Sequence, residues 1–414
     1  LWFIFWDTMS ANGLSTGGLW ASLFGIVLAG LICHFLFYLV PGLLGLKTGL
    51  PLYVVGTSTF GAVGGLIMPG FLMGVLQFGW LGVNTFGSAD ALSRGFHVPG
   101  LYYPICVIWA LGAAFVGLKG IQYVAKIATY LPLIPLVVLI LGLVLFGAHA
   151  GSYHPAAGAV NFAGSLTAIL AMVASIVGFF ATAGAAGVDF GLNSRNKKDV
   201  SMGGIVGVIL AVVFTAGISV IVVAGARATG VIDEGTTNMT TALAKKVPEG
   251  LFAAIMIGLT LASFPGACFS SFIAANSFKT VMPKVNPFVS VGLGALVSLV
   301  LALTKVAGDL PSVFGLIGAS FGPICGAMAV DYLLAGGNWA GPRAGFNPAG
   351  WIAWALGFFV GILPNIKVWL KLDIPDIPAA PVVAFIVGAV VYFVCAKLSL
   401  QTSVIAPARV PVGK

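Results

Sequence analysis

Charge is what this sequence has least of. Only 7% of its 414 residues are Asp, Glu, Lys or Arg, against about 25% in a soluble chain. Too few charges remain to cover a water-exposed surface, and 59% of the residues are hydrophobic. These two facts exclude a soluble globule and leave a protein that crosses the membrane many times. Cysteine is also sparse. Cys33, Cys106, Cys268, Cys325 and Cys395 all lie in apolar runs without CxxC or Cys/His spacing, which excludes a disulfide framework or a zinc cluster. Of the four histidines, His34 falls within an apolar run and His97, His149 and His154 in connections, with no metal-ligand pattern. No nucleophile–base cluster is visible, so an enzyme has no support and no cofactor is expected. The net charge of +8 does not imply nucleic acid, because basic residues of membrane proteins collect in cytoplasmic loops. No signal peptide is expected. The chain begins at Leu1 rather than Met, so part of the first helix is expected to precede this numbering.

Glycine is abundant, with 57 residues, about twice the usual share of ~7%. That suits helices packed closely through small residues. A span needs about 20 apolar residues, and such runs predict twelve helices. They cover roughly 1–18, 20–43, 60–89, 101–118, 122–147, 164–190, 202–226, 250–278, 288–304, 311–335, 348–364 and 379–399. With the N-terminus inside, twelve basic residues fall on the cytoplasmic side and seven outside, which places both termini in the cytoplasm. The external lysines Lys245, Lys246, Lys367 and Lys371 have acids nearby: Asp233, Glu234 and Glu249 for the first pair, Asp373 and Asp376 for the second. In the longest outer connection, 228–250, Ala242-Leu-Ala-Lys-Lys246 reads as a short amphipathic helix over an outer vestibule. Asn238-Met-Thr240 in the same stretch matches a glycosylation sequon.

Two spans carry clustered polar residues and glycines: Asp7-Thr-Met-Ser-Ala-Asn-Gly-Leu-Ser-Thr-Gly-Gly18 in the first, and Gly178–Gly187 with Thr182, Phe179 and Phe180 in the sixth. Each reads either as a small-residue packing face or as a place where the helix unwinds. Interrupted spans at corresponding positions of two halves point to a transporter built from inverted repeats. The halves are 1–148 (spans 1–5) and 149–336 (spans 6–10), followed by 337–414 with spans 11 and 12 and the tail. Spans 1 and 6 begin on opposite sides, as inversion requires.

A carboxylate within a span is by default a functional candidate. Asp7 fits this description, as a cation ligand, a proton carrier or the partner of a charged substrate group. The competing reading puts it at a helix end in water. Asp189 and Asp331 sit at span ends, where a structural partner (Arg195 for Asp189) is expected. In span 3, Gln77, Trp80 and Asn84 lie at i, i+3 and i+7 on one helical face. A tryptophan with amides beside it makes a stacking platform with a hydrogen-bonding edge, suited to a flat, neutral, polar ring. In span 8, Thr260, Ser263, Ser270 and Ser271 surround Pro265-Gly266. That dipeptide is expected to kink or open the helix, exposing groups that could coordinate Na+ or satisfy one another.

Taken in order, Gly45-Leu-Lys-Thr-Gly-Leu-Pro51, Phe60-Gly61, Gln77-Phe-Gly-Trp80-Leu-Gly, Gly178–Phe190 with Arg195-Asn196, and Pro323 with Val330-Asp-Tyr-Leu333 resemble the nucleobase:cation symporter-1 family. These are the cytosine, purine and hydantoin permeases, and the closest look is to the cytosine permease branch. The resemblance covers nearly the whole chain. It implies an all-α, LeuT-type 5+5 inverted repeat with broken helices 1 and 6, about twelve transmembrane helices and alternating access. Carried over by position, Trp80 and Phe180 would stack on the two faces of a substrate ring, with Asn84, Thr182, Thr8 and Gln77 around it. A sodium site would use carbonyls near Ile4 and Asp7 together with the span 8 hydroxyls Thr260 and Ser263. The sequence departs from the family pattern at Phe264-Pro265, at Asp7, and at the missing arginine before Phe60-Gly61.

The expectation is therefore a symporter importing a nucleobase or related planar nitrogen heterocycle, coupled to Na+ or H+. It would be a monomer in a lipid bilayer, the bacterial inner membrane, with a small-molecule substrate and no nucleic-acid partner. Two alternatives stay open: a transporter of the same fold for another small substrate such as an amine, and a non-transporting sensor.

Overall fold

Gly18 turns the chain back on itself. Its φ of 78° and ψ of −174° lie in a region that is essentially glycine-only. The helix Trp2–Ile32 is bent there into two arms, so that a Cβ built on Gly13 would come within 2.6 Å of Ser22 Oγ. Ser22 Oγ donates to the Gly18 carbonyl at 2.8 Å and closes the corner. The computed structural model describes residues 2–119, 121–155, 160–235 and 239–405; the side chains of residues 1–12, 121, 123 and 127 are outside that description. Every span is helical.

We label the spans α1 (2–17), α2 (19–48), α3 (Leu66–Gly95), α4 (Pro99–Lys119), α5 (Leu133–Ser152), α6 (Phe162–Ala185), α7 (Lys197–Ala228), α8 (Glu249–Val281), α9 (Pro287–Leu303), α10 (Leu310–Leu334), α11 (Pro348–Leu370) and α12 (Ala380–Lys397). Ten helices among the described residues are long and apolar enough to cross a bilayer, the first of them counted from Gly13 to Thr48. The arm ahead of Gly18 and the 17-residue Pro287–Leu303 complete the twelve.

Two expectations are corrected. Span 5 is not one helix over 122–147: a short helix, Ile121–Ala128, precedes a turn, and α5 starts at Leu133. Span 8 does not open at Pro265-Gly266; α8 is continuous through Pro265. Spans 1 and 6 are interrupted within the stretches that the sequence marks, at Gly18 and at Ala186, where a separate helix Gly187–Gly191 begins.

Packing sorts the helices into groups. α1, α2, α6 and α7 pack together, as do α3, α4, α8 and α9, while α10 packs on α6, α11 and α12. Glycines let the backbones touch. A Cβ on Gly178 would stand 2.7 Å from the Phe314 carbonyl of α10, and one on Gly184 would stand 2.7 Å from Phe37 Cβ of α2. These are packing glycines, the first of the two readings offered by the sequence.

The two faces are tied by buried ionic clusters. On one, which we call the Arg227 face, the Arg227 side chain is 2% exposed. It donates to Ser15 Oγ (2.9 Å), Glu234 Oε2 (3.1 Å) and the Tyr153 hydroxyl (3.3 Å), joining α1, α5, α7 and the 228–250 connection. On the opposite, Arg343 face, Asp331 of α10 is 3% exposed. It accepts from Ser58 Oγ (2.6 Å), the Tyr392 hydroxyl (2.7 Å) and Arg343 Nη2 (3.4 Å). Arg343 also donates to the carbonyls of Ser58 (2.8 Å) and Thr402 (3.1 Å). Segment 339–347 is thus clasped between the short helices Leu52–Val55 and Thr57–Phe60 and the tail, where Arg343 and Val404 form an antiparallel bridge.

Removing one partner from a buried ionic pair costs about 3–5 kcal/mol, because the other charge is left unpaired. Asp331→Ala is therefore expected to lower the thermal unfolding midpoint of the detergent-purified protein sharply, and Asp331→Asn to lower it less. Equal midpoints for Asp331→Ala and the wild type would show that this cluster does not hold the Arg343 face together.

Candidate functional site

Between α3 and α8 on one side and α6 and α10 on the other lies a cavity of about 320 Å³. Helical spacing decides which side chains reach it. From α3 come Gln77, Trp80, Asn84 and Gly87; from α6, Phe179, Thr182, Ala183 and Ala186; from α8, Ser263, Gly266, Ser270 and Ile273; from α10, Leu310 and Phe314. In each helix the residues recur at three- and four-residue steps, one face of a 3.6-residue period. The cavity extends toward the Arg343 face, where Phe190, 55% exposed, lines it. Its lining is largely aromatic and aliphatic, and no described lining residue carries a charge.

Three rings form a cage. Trp80 and Phe179 meet edge to face, with centroids 5.1 Å apart and planes at 89°. Phe314 lies 5.6 Å from Trp80 at 34° and 5.6 Å from Phe179 at 88°. Such aromatic pairs favour edge-to-face and offset geometries. Beside the cage, Trp80 Nε1 donates to Thr182 Oγ1 at 3.3 Å, and Asn84 Nδ2 donates to the Trp80 carbonyl at 2.8 Å. Asn84 Oδ1 stands 3.6 Å from where Gly266 would carry a Cβ, so α8 borders the amide closely without crowding it. Thr182 keeps a hydroxyl proton to give and Asn84 an oxygen to accept, a donor and an acceptor on one side of an apolar chamber.

Five of the expected residues, Gln77, Trp80, Asn84, Thr182 and Ser263, are brought together here. Phe180 is not. It is 9% exposed and packs in the core beside Gly184, one helical step of about 100° away from Phe179. The ring opposite Trp80 is Phe179, which shares the face of Thr182 at i, i+3. Thr260 is also absent from the lining: it is 2% exposed and its hydroxyl donates to the Met256 carbonyl at 2.8 Å. Ser263 donates to the Thr260 carbonyl at 2.7 Å and meets Ser88 Oγ of α3 at 2.7 Å. Ile4, Asp7 and Thr8 have side chains outside the described residues. Asp189 does not pair with Arg195; it accepts from the Leu52 amide at 3.2 Å, while Arg195 pairs with Asp199. Phe314 and Ser88 escaped the sequence reading. A ring in span 10 carries no local signal that it faces span 3, and Ser88 is simply one further turn along the Gln77–Asn84 face.

The family of permeases for cytosine/purines, uracil, thiamine and allantoin matches residues 4–369. The chain belongs to it. It is a membrane transporter and not an enzyme. Among solved structures it is similar to Mhp1, a nucleobase-cation-symport-1 family transporter in a closed conformation with bromovinylhydantoin bound. The TM-score is 0.64 at 17% identity, covering 98% of this chain and 93% of that one. An inward-facing Mhp1 gives 0.64 at 18% identity, covering 97% and 91%. A Na+-coupled sialic acid symporter in a substrate-bound outward-open state gives 0.59 at 14%, covering 97% and 88%. Identities this low establish the shared LeuT-type fold alone. No curated protein matches the sequence.

The positions of the two phenylalanines predict a contrast. Burying a phenylalanine in a packed core and then truncating it costs about 3–5 kcal/mol. Phe180→Ala is expected to destabilise on that scale, and Phe179→Ala, whose ring borders open space, distinctly less. Thermal unfolding of both variants checks the order, and a reversed order would remove Phe179 from the cavity wall.

Proposed function

We propose that the protein is a symporter that imports a nucleobase or related planar nitrogen heterocycle, coupled to Na+ or H+. The observation that carries this reading is the Trp80–Phe179–Phe314 cage with Thr182 and Asn84 on one side of it. A flat ring stacked on Trp80 would present a ring N–H to Asn84 Oδ1 and accept the Thr182 hydroxyl proton at a carbonyl or ring nitrogen. That donor–acceptor edge is common to pyrimidines, purines and hydantoins. The amine alternative is disfavoured, since no described lining residue supplies a counter-charge.

The packing supports alternating access. α1, α2, α6 and α7 form one body and α3, α4, α8 and α9 another, with the cavity between them, so a rocking of one against the other would move the opening between faces. In our reading each of the first four helices packs on the one five later, as inverted repeats 1–148 and 149–336 require. Both α2 and α7 contain a π-helical turn, Cys33–Tyr38 and Ile205–Leu210, and these pack together. The Arg343 face, which carries the larger share of basic residues, is cytoplasmic, and the conformer described is the one open inward. For the ion we assign the α8 oxygens of Thr260 and Ser263 and the α1 segment at Ile4 and Asp7. The transporter acts as a monomer in the bacterial inner membrane.

The test is thermal stabilisation of the purified protein by a panel of nucleobases, hydantoins and small amines, with and without Na+, at two pH values. A ligand that binds the folded state raises its apparent stability by RT ln(1 + [L]/Kd). A heterocycle that stabilises, more strongly with Na+ or with a change of pH, is the expected result. Its effect should be lost in Phe179→Ala and kept in Phe180→Ala corrected for stability. Stabilisation by amines alone would overturn the reading.

A further inference from the structure

A second chamber lies beyond the first, on the Arg227 face. Its volume is about 590 Å³. Its walls come from the end of α3 (Asp90, Arg94), the start of α4 (Tyr102), the loop lysine Lys305 and the short helix Met239–Ala244, which contributes Thr240 and Thr241. That helix overlaps the stretch 242–246, expected to be helical over an outer vestibule, but it starts at Met239 and ends at Ala244, with Lys245 and Lys246 in the turn that follows. One residue lines both chambers: Phe86 of α3. Its ring meets Tyr102, on the wall of the outer chamber, with centroids 6.2 Å apart and planes at 72°.

The tip of the ring rests on a glycine. A Cβ built on Gly308, in the turn between α9 and α10, would lie 2.5 Å from Phe86 Cζ and 2.9 Å from both Cε atoms. A contact under 3 Å cannot be kept, so even one methyl group there would push the ring aside. The turn that carries Gly308, Val306–Gly308, packs on α3 and α9 and leads into α10. The ring and its seat therefore belong to the α3 body, at its edge beside α10. Among the charges lining the outer chamber, Asp90 pairs with Arg94 at 2.6 Å and Lys305 Nζ lies over the Tyr102 ring, 5.4 Å from its centroid. A neutral solute would meet little electrostatic barrier there.

We propose that Phe86, seated on Gly308, is the gate that closes the binding cavity against the outer chamber, and that this chamber is the antechamber through which substrate enters. The proposal rests on the reading of the protein as a transporter with alternating access, but its test needs no substrate. All five native cysteines are buried, which keeps background labelling low. Cysteine would be placed at Thr241 (Thr241→Cys) in the antechamber or at Ala183 (Ala183→Cys) in the cavity. A membrane-impermeant methanethiosulfonate would then be applied to intact cells and, separately, to inside-out vesicles. The side from which Thr241→Cys reacts is the Arg227 side, whichever way the protein is oriented.

From that side, Ala183→Cys is expected to react at least tenfold more slowly than Thr241→Cys. Adding either Phe86→Ala or Gly308→Ala should accelerate it about tenfold, with the Thr241→Cys rate unchanged. The Gly308 variant keeps the aromatic ring and so separates displacement of the gate from loss of packing. If Ala183→Cys reacts as fast as Thr241→Cys with Phe86 intact, or if neither variant changes its rate, Phe86 is not the gate. Such a failure would leave the ligand panel, and hence the transport reading, untouched.

Discussion

Helix α6 has to be held firmly on one side so that it can be left open on the other. Gly178 against the Phe314 carbonyl and Gly184 against Phe37 bring its backbone into contact with α10 and α2. In a bilayer the lipid is as apolar as the side chains, so helix association depends on such close packing and not on burial from water. The opposite face of α6 is thereby free to carry Phe179, Thr182, Ala183 and Ala186 along an unfilled cavity. The cage geometry, the donor–acceptor edge and the gap between the two helix bodies all follow from that asymmetry of one helix.

Much of this could be read in advance because membrane helices are written plainly. Runs of apolar residues mark the spans, and the i, i+3, i+7 spacing of Gln77, Trp80 and Asn84 marked a face that the structure indeed turns into the cavity. Applied to α6, the same arithmetic selects Phe179 as the companion of Thr182 and leaves Phe180 in the core; the resemblance carried over by position had chosen the neighbour. Clustered glycine and hydroxyl residues were more ambiguous. Close packing and unwinding require the same small side chains, and only the partner helix tells them apart. Similarly, Pro265 removes one hydrogen bond, yet α8 remains continuous, a tolerance common where neighbouring helices re-satisfy the freed groups.

The long-range polar partners could not be read from sequence at all. Asp331 sits near a helix end, where a structural partner is expected but not named by the sequence, and it gathers Ser58, Tyr392 and Arg343 from three separate connections and helices. The missing arginine before Phe60-Gly61 has a physical counterpart here. The guanidinium that reaches the Ser58 carbonyl belongs to Arg343, some 285 residues away. Buried charge must be compensated, but the compensating residue can come from any segment the fold delivers, and sequence spacing does not record which.

Both ionic clusters lie toward the faces, and the described lining of the cavity between them is uncharged. This division shapes how selection and coupling can work. A site built from rings and one donor–acceptor pair distinguishes solutes by shape and by matched hydrogen bonds. A solute lacking the matching group would leave Thr182 or Asn84 unsatisfied in an apolar chamber, a penalty larger than the loss of a methylene contact. The Thr260 and Ser263 hydroxyls are engaged with backbone carbonyls of their own helix, and Ser263 with Ser88 of α3. A coupling ion held near them would act on the spacing of α8 and α3 against α1 more than on the solute itself. In such an arrangement the ion and the heterocycle are linked through the position of the two helix bodies, and neither needs to touch the other.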